Sequence, residues 1–138
     1  MSRGPLIGPI GCAFLGDYTI EDFHLSQTLA PVALFAYRRP RHLQTVLGSL
    51  ARNAEAADTS LMIFIDAAED ESDSQAVDTT ASVACQATGF RSVSVEVSED
   101  HRGLAQSITT GVSRVLAEHD RVIVLEDDIQ VSPHFLRY

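Results

Sequence analysis

Positive charge is the scarcest commodity in this chain. Ten basic residues face nineteen acidic ones, a net charge of −9 with histidine neutral. A protein that coats nucleic acid by releasing counterions needs the opposite balance. An anionic membrane surface is disfavoured for the same reason. Cysteine is nearly missing as well. Cys12 and Cys85 fit no zinc spacing and cannot build a disulfide framework, so the plain reading is two free thiols in a reducing compartment. No apolar run of about 18 residues occurs, which leaves no transmembrane helix. Leu6 to Leu15 is apolar, but Gly8, Pro9 and Gly11 interrupt it, and no clean cleavage site follows it. These absences together favour the cytoplasm. A glycine-rich dinucleotide fingerprint, a P-loop, repeats and low-complexity tracts are also missing.

What remains is a chain of 138 residues with 45% hydrophobic and 21% charged content, enough for one globular domain with a substantial core. Residues 1–30 carry little periodicity and many turn signals, so they read as an N-terminal extension. From residue 31 the pattern becomes regular. Val32 to Ala36 is a continuous apolar run, which suits a strand buried on both faces. Pro40 suits a first helical turn, and Leu43, Val46, Leu47 and Leu50 follow at helical spacing. Leu61 to Ile65 is a second buried strand, closed by Asp66. The acids from Glu69 to Asp73 suit a helix N-terminus, where the dipole favours carboxylates. Val77, Ala81, Ala84 and Cys85 give that helix a weaker apolar face, and Gly89 suits its C′ position. Val93 to Val97 alternates apolar with polar residues and predicts a half-exposed strand near an edge. Leu104, Ile108, Gly111, Val112, Val115 and Leu116 form one amphipathic face. Arg121 to Leu125 is a fourth strand, and Ser132-Pro133 reads as a new helix start.

Strand and helix alternate throughout. That order predicts a Rossmann-like three-layer α/β sandwich over residues 31–138, with a mostly parallel sheet of about four strands. In such sheets ligands bind outside the carboxyl ends of the strands. Those ends carry Arg38 and Arg39, then Asp66, then Asp100 to Arg102, then Glu126-Asp127-Asp128. With strand order 3-2-1-4, Arg39 and the acids face each other across the switch point. A buried strand that runs straight into three acids needs a cationic partner. A divalent cation carrying a phosphate ester would serve, held by one or two hard oxygen ligands. Each residue also has a plainer role: Asp66 as a turn residue, His101 on a surface loop, the acid run as solvated loop.

The series Pro31-Val32, Tyr37-Arg38-Arg39-Pro40, Phe64-Ile65-Asp66, Arg102-Gly103-Leu104-Ala105 and Val124 to Asp128, followed by Ser132-Pro133 and Phe135-Leu136, resembles GT-A fold glycosyltransferases. It is closest to family 2 and to the N-acetylglucosaminyltransferase I type. The resemblance covers residues 31–138 and lies in the order and spacing of the motifs. It implies hexosyl or N-acetylhexosaminyl transfer from a nucleotide sugar, with UDP favoured, to a glycan or other hydroxyl acceptor. It further implies that Asp66 bonds the base and that Arg39 contacts the nucleotide. Glu126 and Asp127 would lie against ribose and sugar, and Gly103 would open the helix beside the sugar and pyrophosphate. Asp128 would coordinate manganese or magnesium. The pattern departs at Arg38, where asparagine is common, and at His101-Arg102-Gly103, where Asn-x-Gly is usual. Ten residues follow the acids, so the resemblance implies the donor-binding half and assigns no catalytic base. A receiver-type module needs roughly a hundred residues after its acids. Other rivals are a Rossmann-like binding module without transferase activity and a nucleotidyltransferase. The unfinished sheet edge is compatible with a homo-oligomer.

Overall fold

Val32–Ala36 (β1) is buried along its whole length, and the other elements are placed around it. The computed structural model describes residues 29–137; the expected N-terminal extension lies almost wholly outside them, as does Cys12. Successive side chains of β1 leave on opposite faces. Val32, Leu34 and Ala36 enter one core with Leu61, Ile63 and Ile65 of β2 (Ser60–Ile65) and Leu125 of β4 (Ile123–Glu126). Ala33 and Phe35 enter a second core, against Met62 and Phe64. The first face is covered by α1 (Pro40–Ala51) and α2 (Glu71–Cys85). The second is covered by α3 (Leu104–Leu116). The molecule is therefore the α/β sandwich that the alternation predicts. Among the described residues, no helix is long and apolar enough to cross a membrane.

The sheet order is β3-β2-β1-β4, with β3 at Ser92–Val97, and every pairing is parallel. The chain steps outward from β1 to β3, then returns to the opposite side of β1. That reversal puts the switch point between the carboxyl ends of β1 and β4. β3 is the half-exposed edge strand its alternation suggests.

Local chemistry explains the helix boundaries. Pro40 opens α1, and Leu43, Val46, Leu47 and Leu50 are its buried face. At the start of α2 the Asp70 carboxylate accepts the Ser72 N–H at 2.8 Å, a side-chain cap in an acid-rich first turn. Gly103 precedes α3 with φ 78°, a conformation that L side chains rarely adopt.

Several expectations shift. β4 spans Ile123–Glu126 rather than Arg121 to Leu125, because its ladder begins where Val32 meets Ile123 and runs on until Phe35 meets Glu126. Gly89 is not the C′ residue of α2. The helix ends at Cys85, Gln86 caps it, and Gly89 takes φ 91° in the turn leading to β3. Cys85 is free but exposed, off the apolar face. Leu104 and Leu116, at the two ends of α3, stay 55% and 46% exposed. Among the described residues Ser132-Pro133 starts no α-helix, and only the 3₁₀ turn Phe135–Arg137 follows. The reason is a competing partner. In a helix the Leu136 N–H would return to the Ser132 carbonyl. Here it donates to Asn53 Oδ1 at 3.0 Å, while Asn53 Nδ2 donates to the Ser132 carbonyl at 3.1 Å. The segment is strapped across the C-terminal end of α1 instead.

Gly111 sets the height of α3 above the sheet. A β-carbon there would stand 2.6 Å from Phe35 Cε1, and the Phe35 ring is buried and stacked on Phe64 at 5.2 Å. Losing a mid-helix glycine favours the helix by about 1 kcal/mol at most. A net loss must therefore come from the clash. Gly111→Val is expected to lower unfolding free energy by about 2 kcal/mol, measured by urea denaturation. An unchanged midpoint would show that the Phe35–Phe64 stack yields freely.

Candidate functional site

A cavity of about 280 Å³ opens at the switch point. Its wall includes Tyr37 and Arg39 after β1, Asp66 after β2, His101 and Gly103 after β3, and Glu126 and Asp127 at the end of β4. Leu104 and Ser107 of α3 complete one side. Five of the residues expected from sequence thus surround one space: Arg39, Asp66, Gly103, Glu126 and Asp127. Asp128 lies just beyond, on a second cavity of about 230 Å³ shared with Asp127, Arg41, His42, Thr45 and Gln130.

The Asp127 backbone N–H donates to the Phe35 carbonyl at 3.0 Å, which carries the β1–β4 ladder one residue past the strand. Its carboxylate is thereby drawn inward and is only 2% exposed. Oδ1 meets an Arg39 guanidinium nitrogen at 2.8 Å. Oδ2 is buried without a partner. Burial raises the Asp127 pKa, and the Arg39 charge and the Tyr37 backbone N–H act against that rise. A second Arg39 nitrogen stands 3.7 Å from Asp128 Oδ2, and Asp128 is 46% exposed. The cation that the acid run requires is therefore supplied by the chain itself.

Asp66 has a different character. Its Oδ1 accepts the Ala67 and Arg102 N–H groups at 3.0 and 2.9 Å, and its Oδ2 accepts the Gly103 N–H at 2.8 Å. His101 Nδ1 is 3.2 Å from Oδ2 and 2.8 Å from the Ala67 carbonyl. These contacts take up most of what a carboxylate can accept. Asp66 pins the β3–α3 loop, and through it Gly103, to the end of β2. His101 is thus more than a surface histidine. The Ala67 carbonyl raises its pKa, burial opposes, and the Asp66, Glu69 and Asp73 charges reinforce the rise.

Sequence reasoning placed Arg38 beside Arg39, but the two diverge. Arg38 pairs with Asp73 in the first turn of α2 at 2.5 Å. Tyr37 donates its hydroxyl hydrogen to Asp73 at 2.7 Å and accepts the Glu69 N–H at 2.9 Å. Its ring lies 5.1 Å from the His101 ring. The hydrogen bonds from Tyr37 and Arg38 hold the Asp73 carboxyl below the usual range. Tyr37 and Ser107 were not anticipated as site residues. Ser107, whose hydroxyl is buried without a partner, has no signal beyond its place one turn into α3.

The donors present suit a hard cation in kind, being carboxylate oxygens. Among the described residues, no three His, Cys, Asp or Glu side chains converge into a cluster that could enclose one. Asp128 and the free Asp127 oxygen are donors of the kind that would suit a magnesium or manganese ion carrying phosphate and water. They do not fit a closed protein cage.

No protein-family model matches the chain, and no curated protein matches its sequence.

Two outcomes are expected from the Asp66 anchor. Asp66→Asn exchanges an accepting oxygen for a donor that opposes backbone N–H groups, and should lower stability by about 2 kcal/mol, read from chemical denaturation. A stability equal to the parent's would remove the anchoring role. His101 has a raised folded pKa, so its charge stabilises fully below the unfolded value of about 6.5 and ceases to do so as pH rises through the folded value. The melting-temperature gap between parent and His101→Gln should be wider at pH about 5.5 than at pH about 8.5. A gap independent of pH would show that the charge contributes nothing.

Proposed function

We propose that the chain binds a nucleoside-diphosphate sugar, UDP-linked by preference, as the donor-binding part of a glycosyltransferase. The group moved would be hexosyl or N-acetylhexosaminyl, and the acceptor a hydroxyl of a glycan or similar molecule. The observation that carries this reading is Asp127. A carboxylate 2% exposed lines the switch-point cavity with one oxygen on Arg39 and the other without a partner. A ribose or sugar hydroxyl is the kind of donor that would complete it, and leaving such a group unpaired costs about 1–3 kcal/mol.

The remaining wall suits the same ligand. The planar guanidinium of Arg39 matches two phosphate oxygens at once. Glu126 offers a further acceptor to sugar or ribose. Leu104 and the Tyr37 ring offer apolar surface, and Ser107 an unused hydroxyl. Gly103 brings bare backbone to the start of α3, where N–H groups and the helix dipole favour an anion. Asp66 enters as the anchor of that loop, and a base contact would have to share an oxygen that already accepts an amide. A divalent ion at Asp128 would supply Lewis-acid stabilisation of the departing diphosphate. A general base for the acceptor hydroxyl is left unassigned.

A second reading, a nucleotide-binding module without transfer, draws on the Arg39 pairing, which already neutralises part of the acid run. Calorimetric titration of UDP and GDP, with and without manganese, separates the two. The transferase reading expects binding that depends on manganese. It also expects Asp128→Asn to weaken that binding at least about tenfold while melting like the parent. Binding indifferent to the metal selects the module, and a chain that takes up neither nucleotide overturns both.

A further inference from the structure

Arg39 holds the position that a divalent cation would need. One of its nitrogens lies 2.8 Å from Asp127 Oδ1 and the other 3.7 Å from Asp128 Oδ2, so a single guanidinium spans both carboxylates. The side chain is nevertheless 48% exposed, and it springs from the residue that precedes α1. It is therefore free to swing out on a long arm, while Asp127 is fixed and buried. Resting on the nucleoside-diphosphate reading of the cavity, we infer that Arg39 is a tethered counter-ion. It excludes a bare divalent cation from the acid pair and yields only when a diphosphate offers it a second partner.

Charge and the partners on offer govern the exchange. Asp127 and Asp128 together carry two negative charges when ionised, and Arg39 supplies one positive charge. A cation arriving alone must displace the guanidinium into water, and loses the energy of two ion pairs for those it forms. A cation arriving with a diphosphate meets a different situation. The guanidinium exchanges carboxylate for phosphate, both of which fit its fork, and the acids pass to the cation. The partly exposed Asp128 is the one it contacts more loosely, at 3.7 Å, so that carboxylate is released first. The unpartnered Asp127 Oδ2 shows that the pairing leaves the buried acid incompletely satisfied, which keeps the exchange accessible. Cation and diphosphate then raise each other's affinity reciprocally, because each removes a competitor of the other. An acid run of this kind would otherwise collect free divalent ions. Arg39 makes the cation's entry conditional on the nucleotide.

The experiment titrates the full chain with manganese alone, reading free ion by electron paramagnetic resonance, for the parent, Arg39→Gln and Arg39→Lys. Arg39→Gln should bind manganese alone about tenfold tighter than the parent, the equivalent of ~1.4 kcal/mol. It should also show less tightening when UDP is added. Arg39→Lys keeps the charge and should stay near the parent. Because Arg39→Gln strips a buried acid of its counter-ion, the parent supplies an independent reading. The Arg39 side-chain N–H resonance, assigned by its loss in Arg39→Lys, should ignore magnesium alone and move when magnesium and UDP are present together. A glutamine variant that takes up manganese no better than the parent, or an arginine signal that shifts with magnesium alone, overturns the counter-ion role while leaving the nucleotide reading intact. If manganese with UDP fails to bind the parent at all, the nucleotide reading falls and this inference falls with it.

Discussion

Val32 through Ala36 lose nearly all contact with water on both faces, and their backbone groups are matched along both edges by β2 and β4. An apolar strand with this much burial needs a helix layer on each side and a neighbour on each edge, because unpaired backbone polar groups in a dry interior are costly. The remaining elements meet that demand. α1 and α2 close one face, and α3 comes close on the other because Gly111 has no β-carbon to strike Phe35. Since β2 and β4 flank the same central strand in parallel, their carboxyl ends finish on one rim beside its own. The cavity is a consequence of that shared direction.

Two buried carboxylates at the rim show how environment divides one chemistry into two roles. Asp66 is met by three backbone N–H groups and a histidine, and becomes part of the frame. Asp127 is just as deeply buried, yet meets one guanidinium and the Tyr37 backbone N–H and keeps one oxygen unmatched. A saturated anion stiffens what it touches. An unsaturated one stays ready for a donor or a change of partner, at a cost to the stability of the ligand-free chain. In the proposed reading the ligand contact belongs to Asp127, with Asp66 as its support through Gly103.

Strand and helix order was legible because its signals are local. The unbroken apolar run of β1, the helical spacing of Leu43, Val46, Leu47 and Leu50, and the alternation in β3 each reflect a periodicity written along the chain. Arg39, Asp66, Glu126 and Asp127 lie at strand ends that parallel strands must deliver to one side, and Gly103, expected only from the family resemblance, lines the same cavity. What failed was read locally but decided at a distance. Ser132-Pro133 carries a helix-start pattern, yet Asn53, 79 residues earlier, captures the hydrogen bonds a helix would use. Gly89 has the left-handed backbone suited to a cap, though the helix had already ended.

Composition and pattern alone determined an acidic α/β domain with a parallel sheet and a polar rim, because burial and periodicity act through neighbours in the chain. Only the tertiary structure decided which charge meets which. Arg38 and Arg39 are adjacent and alike in type. One closes on Asp73 of α2 and the other on the acids after β4. Ion pairs depend on separation in space, and Asp73 and Asp127 reach these arginines only after the sheet has assembled around β1.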